Sequence, residues 1–202
     1  MRVIECPEYT DRNLLIRDLF RSGYPIVPFR TCIRKSVFDK IGFYDESLSV
    51  GEDYDLMRRF VKQGLKASHL GRALYLRRMG LDSLSRNHSP QKARCHFEVL
   101  KRFVETFKYD ELFPDVNWDK ISPERRQLHA RYLVAATYLG IGQIHIKANS
   151  PSIYSEMANE FAGKELTECL KIEPNNKQVR ELLRKCEMGR RKYGEKIPQT
   201  VC

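Results

Sequence analysis

Gly51-Glu52-Asp53-Tyr54-Asp55-Leu56-Met57-Arg58-Arg59-Phe60-Val61-Lys62-Gln63-Gly64 reads as a short helix that opens on three carboxylates and closes on a glycine. Leu56 and Phe60 recur at helical spacing, with Met57 and Val61 on the adjoining stripe. One face therefore packs on a core, while Arg58, Arg59 and Lys62 lie outside it or along its edge. Carboxylates in a first turn are favoured by the unpaired backbone N–H groups and the positive end of the helix dipole, which hold them ionised at neutral pH. An ionised carboxylate on a rigid element can act as a general base. Acidic residues also occupy first turns simply to cap and charge them, so the neighbouring segments decide between a site and a cap.

Upstream, residues 9 to 22 carry Leu14, Leu15, Leu19 and Phe20 in a helical pattern that Gly23 and Pro25 break. Thr31-Cys32-Ile33 reads as a short strand, with Arg34 and Lys35 at its exit. Ser36 is a good N-cap for a second helix, on which Val37, Phe38 and Ile41 form an apolar face before Gly42. Downstream, Lys66-Ala67-Ser68-His69-Leu70 and Ala73-Leu74-Tyr75-Leu76-Arg77-Arg78 read as two further strands with Gly71 between them. His69 and His88 stand alone, whereas metal-binding histidines come in clusters.

With 202 residues, 42% apolar and 31% charged, the chain has the composition of a soluble globular protein, and no run reaches the length of a membrane span. The first residues, Met1 to Glu8, lack the apolar core of a secretory signal, so a cytoplasmic location is expected, with peripheral contact at the inner face of a membrane as an extension of it. A net charge of +10 favours anionic partners: nucleic acid, a phosphorylated sugar donor or an acidic membrane face. No zinc-finger spacing or RNA-binding aromatic signature accompanies the charge, so nucleic acid is not the expected partner. Cys6, Cys32, Cys95, Cys169, Cys186 and Cys202 show no metal-ligand spacing and read as reduced, apolar thiols.

In register, these landmarks resemble the C-terminal half of the nucleotide-sugar-binding region of family 2 glycosyltransferases, which have the GT-A fold. The matching residues are Thr31 through Leu48, then Gly51-Glu52-Asp53-Tyr54-Asp55-Leu56, then Leu74-Tyr75 through Arg78, then Ser83-Leu84-Ser85. The resemblance implies an α/β fold, a partial GT-A domain of the nucleotide-diphospho-sugar transferase type, followed by an α-helical C-terminal appendage. It implies inverting transfer of a sugar from a nucleotide-diphosphate donor to a hydroxyl of a carbohydrate or lipid-linked acceptor. Asp53 would be the catalytic base and Glu52 would lie beside the acceptor. Arg77 and Arg78 would face the donor diphosphate, or equally be solvent-facing strand residues. The family uses a divalent metal, Mn or Mg. Its histidine position before Ser-Leu-Ser is Gly80 here, and the Asp-x-Asp half is missing, so no metal ligand is found and the chain is expected to be incomplete as an enzyme.

Beyond residue 90, Pro90 to Phe107 reads as an amphipathic helix through Ala93, Phe97, Leu100, Phe103, Val104 and Phe107. Ser122-Pro123-Glu124 opens another, followed by a helix from Ile153 to Ile172 and one from Lys177 to Met188. Ala162 through Asn176, with Val179, Leu182 and Leu183, resembles the second helix of a tetratricopeptide repeat and the start of the next. The resulting division is residues 1–90 as the transferase half, 91–118 as helix and linker, 119–190 as a repeat-like helical region and 191–202 as a basic tail. The alternative function is a noncatalytic helical protein-interaction module on a truncated transferase remnant.

Overall fold

Amphipathic spacing sets the elements, and in the computed structural model of the chain they are helices. The structure describes residues 9, 11–22, 31–68, 89–147 and 152–191. Helices α1 (Arg12–Ser22), α2 (Lys35–Ile41), α3 (Glu52–Lys62), α4 (Pro90–Thr106) and α5 (Tyr109–Leu112) are followed by a 3₁₀ turn at Trp118–Lys120. Then come α6 (Pro123–Lys147), α7 (Ile153–Ile172) and α8 (Lys177–Arg191). The chain divides into two units: Met1–Asn87 with Val99–Pro114, and His88–Glu98 with Asp115–Cys202. Helix α4 gives its residues up to Glu98 to the second and the rest to the first.

No strand occurs among the described residues, and this overturns the α/β expectation and the partial GT-A fold with it. Thr31-Cys32-Ile33 is irregular backbone leading into α2, and Lys66-Ala67-Ser68 is irregular as well. A strand is stabilised by pairing with a neighbour and packing on its face, and three apolar residues do not supply either by themselves. The expected strand at Ala73–Arg78, the Ser83-Leu84-Ser85 segment and His69 and His88 lie outside the described residues. Helix α2 also starts two residues earlier than its sequence suggests, with extended Arg34 at the N-cap instead of Ser36.

The first unit is built on rings. Phe20 meets Phe103 at 6.3 Å and Phe113 edge-on at 5.9 Å, Tyr54 meets Phe103 at 4.9 Å, and Phe103 meets Phe107 at 5.7 Å. Ile16 and Leu19 of α1, Leu56 and Met57 of α3, and Leu112 fill the space around them. Burying large aromatic and aliphatic side chains is worth roughly 1.5–3 kcal/mol each, so this cluster fixes where α3 sits. The buried Tyr54 hydroxyl donates to the Leu19 carbonyl and so ties α3 to α1.

In the second unit α6 and α7 run antiparallel. The Cys169 thiol donates to the Leu128 carbonyl, Arg131 pairs with Glu165, Tyr138 meets Phe161, and His145 stacks on Tyr154. The partner's number falls as the α6 number rises, the signature of antiparallel register. Helix α8 returns along α7 after the Pro174-Asn175 turn, with Leu183 beside Gly163 and Asn159 beside Gly189. Helix α7 is thus covered from several sides, and Met157, Ala158, Phe161, Ala162, Leu166 and Cys169 are all buried.

Candidate functional site

Helix α3 begins at Gly51, whose φ of 85° is a left-handed conformation that suits glycine. A Cβ there would also stand 3.3 Å from Val99. At the other end, the Leu65 N–H reaches back to the Phe60 carbonyl and Gly64 has φ 64°, a Schellman-type stop. Tyr54, Leu56, Met57, Phe60 and Val61 form the buried face.

The carboxylates of the first turn part company in this setting. Asp55 is 2% exposed and serves as a hub for three arginines. Its Oδ1 accepts from Arg58 Nη2 at 2.8 Å and Nε at 3.1 Å and from Arg102 Nη1 at 3.2 Å, and its Oδ2 accepts from Arg59 Nε at 2.9 Å. Burial raises the Asp55 pKa, but the hydrogen bonds and charges of Arg58, Arg59 and Arg102 outweigh it and hold the carboxyl below its ordinary value.

The arginines carry the hub outward. Arg59 also donates to the carbonyls of Ile41, Gly42 and Phe43, so a cation sits at the carbonyl end of α2, where the helix dipole favours it. Arg58 Nη1 donates to Thr106 Oγ1 at 2.6 Å, and Arg102 Nη1 reaches Asp45 at 2.8 Å. Asp45, held by Ser47 and Arg102, has its pKa lowered to about 2. Asp55 therefore joins α2, α3, α4 and the turn between α2 and α3. Asp at i with Arg at i+3 and i+4 was the sequence signal for it, overlooked beside the more conspicuous Glu52-Asp53 pair.

Asp53 and Glu52 stand on the same first turn, partly buried and with no cationic partner among the described residues. Burial, and then the neighbouring charge of Glu52, raises the Asp53 pKa, outweighing backbone N–H bonds from Tyr54 and from Asp53 itself. The backbone N–H groups of the helix terminus thus lower the Asp53 pKa by less than burial and Glu52 raise it. A carboxylate of raised basicity is a better proton acceptor. Arg77 and Arg78 lie outside the described residues. No group of three or more His, Cys, Asp or Glu side chains that could hold a metal occurs among the described residues.

The second unit has its own polar cluster, which the sequence reading passed over. His96 of α4 is partly buried, edge-on to His145 at 5.7 Å and to Tyr154 at 6.2 Å. Burial, and then His145, pushes its pKa down to about 4. Cys169 is an inert thiol, raised to about 11 by burial and the charge of Glu165. Cys32 and Cys169 are free thiols, as expected, whereas Cys95 is disulfide-bonded, which corrects the reading of all cysteines as reduced.

Comparison with protein-family models, with curated proteins and with solved structures gives no match. Together with the absence of strands among the described residues, this withdraws the resemblance to family 2 glycosyltransferases. No family model matches the tetratricopeptide-like segment either. No helix among the described residues is long and apolar enough to cross a membrane.

Proposed function

We propose that the second unit is a helical protein-interaction module that takes a partner helix against the outer side of α6. The carrying observation is that α6 has no Asp, Glu, Lys or Arg from Tyr132 to Ile146, although only part of its circumference is packed. Ala130, Val134, Ala135, Tyr138 and Ile141 face inward and are buried. Ala136, Gly140 and Ile144, spaced four apart, are exposed, Ile144 by 57%. A helix apolar on all sides is ordinarily buried on all sides, so an uncharged outer stripe fits a docking surface. Ala136 and Gly140 leave room for a helix backbone to approach, and Ile144 supplies an anchor.

The test is a photo-crosslinking amino acid at position 140 in the full chain, with the crosslinked species identified by mass spectrometry. A defined protein crosslinked through position 140, and lost in Ile144→Asp, supports the module. Labelling that Ile144→Asp leaves unchanged overturns it.

A second reading gives Asp53 the role of base toward a hydroxyl acceptor, with Glu52 beside it, in transfer from a sugar nucleotide. Its support is the raised pKa of Asp53 and the lack of a cationic partner among the described residues. Calorimetric titration with uridine-diphosphate sugars and Mn²⁺ tests the donor and metal that such transfer requires. Saturable binding with turnover that Asp53→Asn abolishes favours this reading, and no binding by the folded chain removes it.

A further inference from the structure

Helix α8 buries Val179 and Cys186 and turns a row of cations to solvent. Lys177, Arg180 and Arg184 follow one another at i, i+3 and i+7, which places them on one side of the helix over about 10 Å. Met188, 51% exposed, extends the row by another turn. The nearby carboxylate of Glu181 is bound to Lys185 at 2.9 Å. None of the three row cations has a carboxylate within ion-pair distance among the described residues. Arg180 donates from Nε to the Pro174 carbonyl at 2.8 Å and from Nη2 to Asn175 Oδ1 at 3.2 Å. Those neutral acceptors steady the guanidinium beside the α7–α8 turn and leave its charge uncompensated.

We infer that the row Lys177, Arg180, Arg184 and Met188 docks an acidic amphipathic helix of a protein partner. Carboxylates at i, i+3 or i+4, and i+7 of such a helix match the cation spacing, and an apolar residue one turn further on covers Met188. A membrane surface fits less well, because binding in the headgroup region needs an available apolar face, and α8 spends Val179 and Cys186 on the interior of its unit. Single-stranded nucleic acid fits less well too, because α8 has no aromatic side chain on which a base could stack. The row lies on a different helix from the α6 face, so either surface can fail without the other.

The probe is a fluorescein-labelled helical peptide with Glu at i, i+3 and i+7 and Leu at i+11, titrated with the full chain and followed by anisotropy. Saturable binding is expected, weakened about tenfold or more by raised salt and by the charge reversal Lys177→Glu/Arg180→Glu/Arg184→Glu. The neutral pair Lys177→Gln/Arg184→Gln, which leaves the Arg180 turn contacts intact, should weaken it less, and Ile144→Asp should leave it unchanged. Equal binding by the triple variant with an unaltered far-UV circular dichroism spectrum overturns the inference. So does equal binding of a scrambled peptide of the same composition. Tighter capture of phosphatidylserine vesicles or oligouridylate through the same three residues would overturn it in favour of lipid or RNA.

Discussion

Asp53 and Asp55 differ by two positions, which on a helix places them roughly 200° apart and gives them opposite energetics. Asp55 faces the guanidinium groups of Arg58, Arg59 and Arg102, and its lowered pKa means that folding favours the ionised form. Removing it leaves partly buried cations without a counterion, and breaking such a buried pair costs about 3–5 kcal/mol. Asp55→Asn should therefore lower the urea midpoint steeply at pH 7. Asp53 has a raised pKa in the fold, so its ionised form is penalised above its ordinary range, and removing the charge relieves that penalty. Asp53→Asn should leave the midpoint unchanged or raise it slightly, by about 1 kcal/mol at most. Urea titrations of the two variants beside the parent chain decide this. Equal losses would mean that Asp55 is not the hub.

At the scale of elements, α6 and α7 approach each other closely at Gly142. A Cβ added at Gly142 would stand 2.6 Å from the Ala158 Cβ, an atom fixed to its backbone and unable to swing aside. Overpacking of this kind costs about 1–3 kcal/mol, against a gain of at most about 1 kcal/mol for alanine over glycine in a helix. Gly142→Ala should therefore destabilise the second unit, while Gly140→Ala, which meets nothing within 4 Å, should stabilise or be neutral. The melting temperature should fall for Gly142→Ala and not for Gly140→Ala, and an equal fall in both would rule out the close approach. Helices with strong punctuation were legible in the sequence. Ile153 to Ile172 was read with the bounds it has, and Pro123 opens α6 as the Ser122-Pro123 pair indicated. Thr31-Cys32-Ile33 misled because apolar β-formers in a run of three record only a local preference, and the decision lies with partners the local sequence does not specify. In the candidate site, Glu52 and Asp53 were legible as an acidic turn. The Asp55 hub depends on Arg102, distant in sequence, and its charge balance emerges only when α4 folds back onto α3.

At the scale of the whole molecule, the two units contain acid-sensitive groups of different kinds, and their signs and windows can be worked out. His96 in the second unit has a folded pKa of about 4, below the ordinary 6.5. The neutral imidazole is favoured by folding, so its contribution is present above 6.5 and is lost as pH falls from there toward 4. That difference amounts to on the order of 3 kcal/mol at the acid end, with His145 and Tyr154 as the titratable rings facing it. Asp55 in the first unit has a folded pKa below its ordinary 3.8, so its contribution stays in place until pH falls below that value. Acid should therefore weaken the second unit first. Trp118, the single tryptophan, belongs to that unit and reports on it selectively. The urea midpoint followed by Trp118 fluorescence should drop between pH 6.5 and 4.5, while that of the α1–α3 unit, followed by hydrogen exchange, holds. His96→Phe exchanges a titratable ring for an apolar one of similar shape, and should flatten the Trp118 profile across that window, even where packing changes its level at pH 7. An unchanged slope in this variant would transfer the acid sensitivity away from His96.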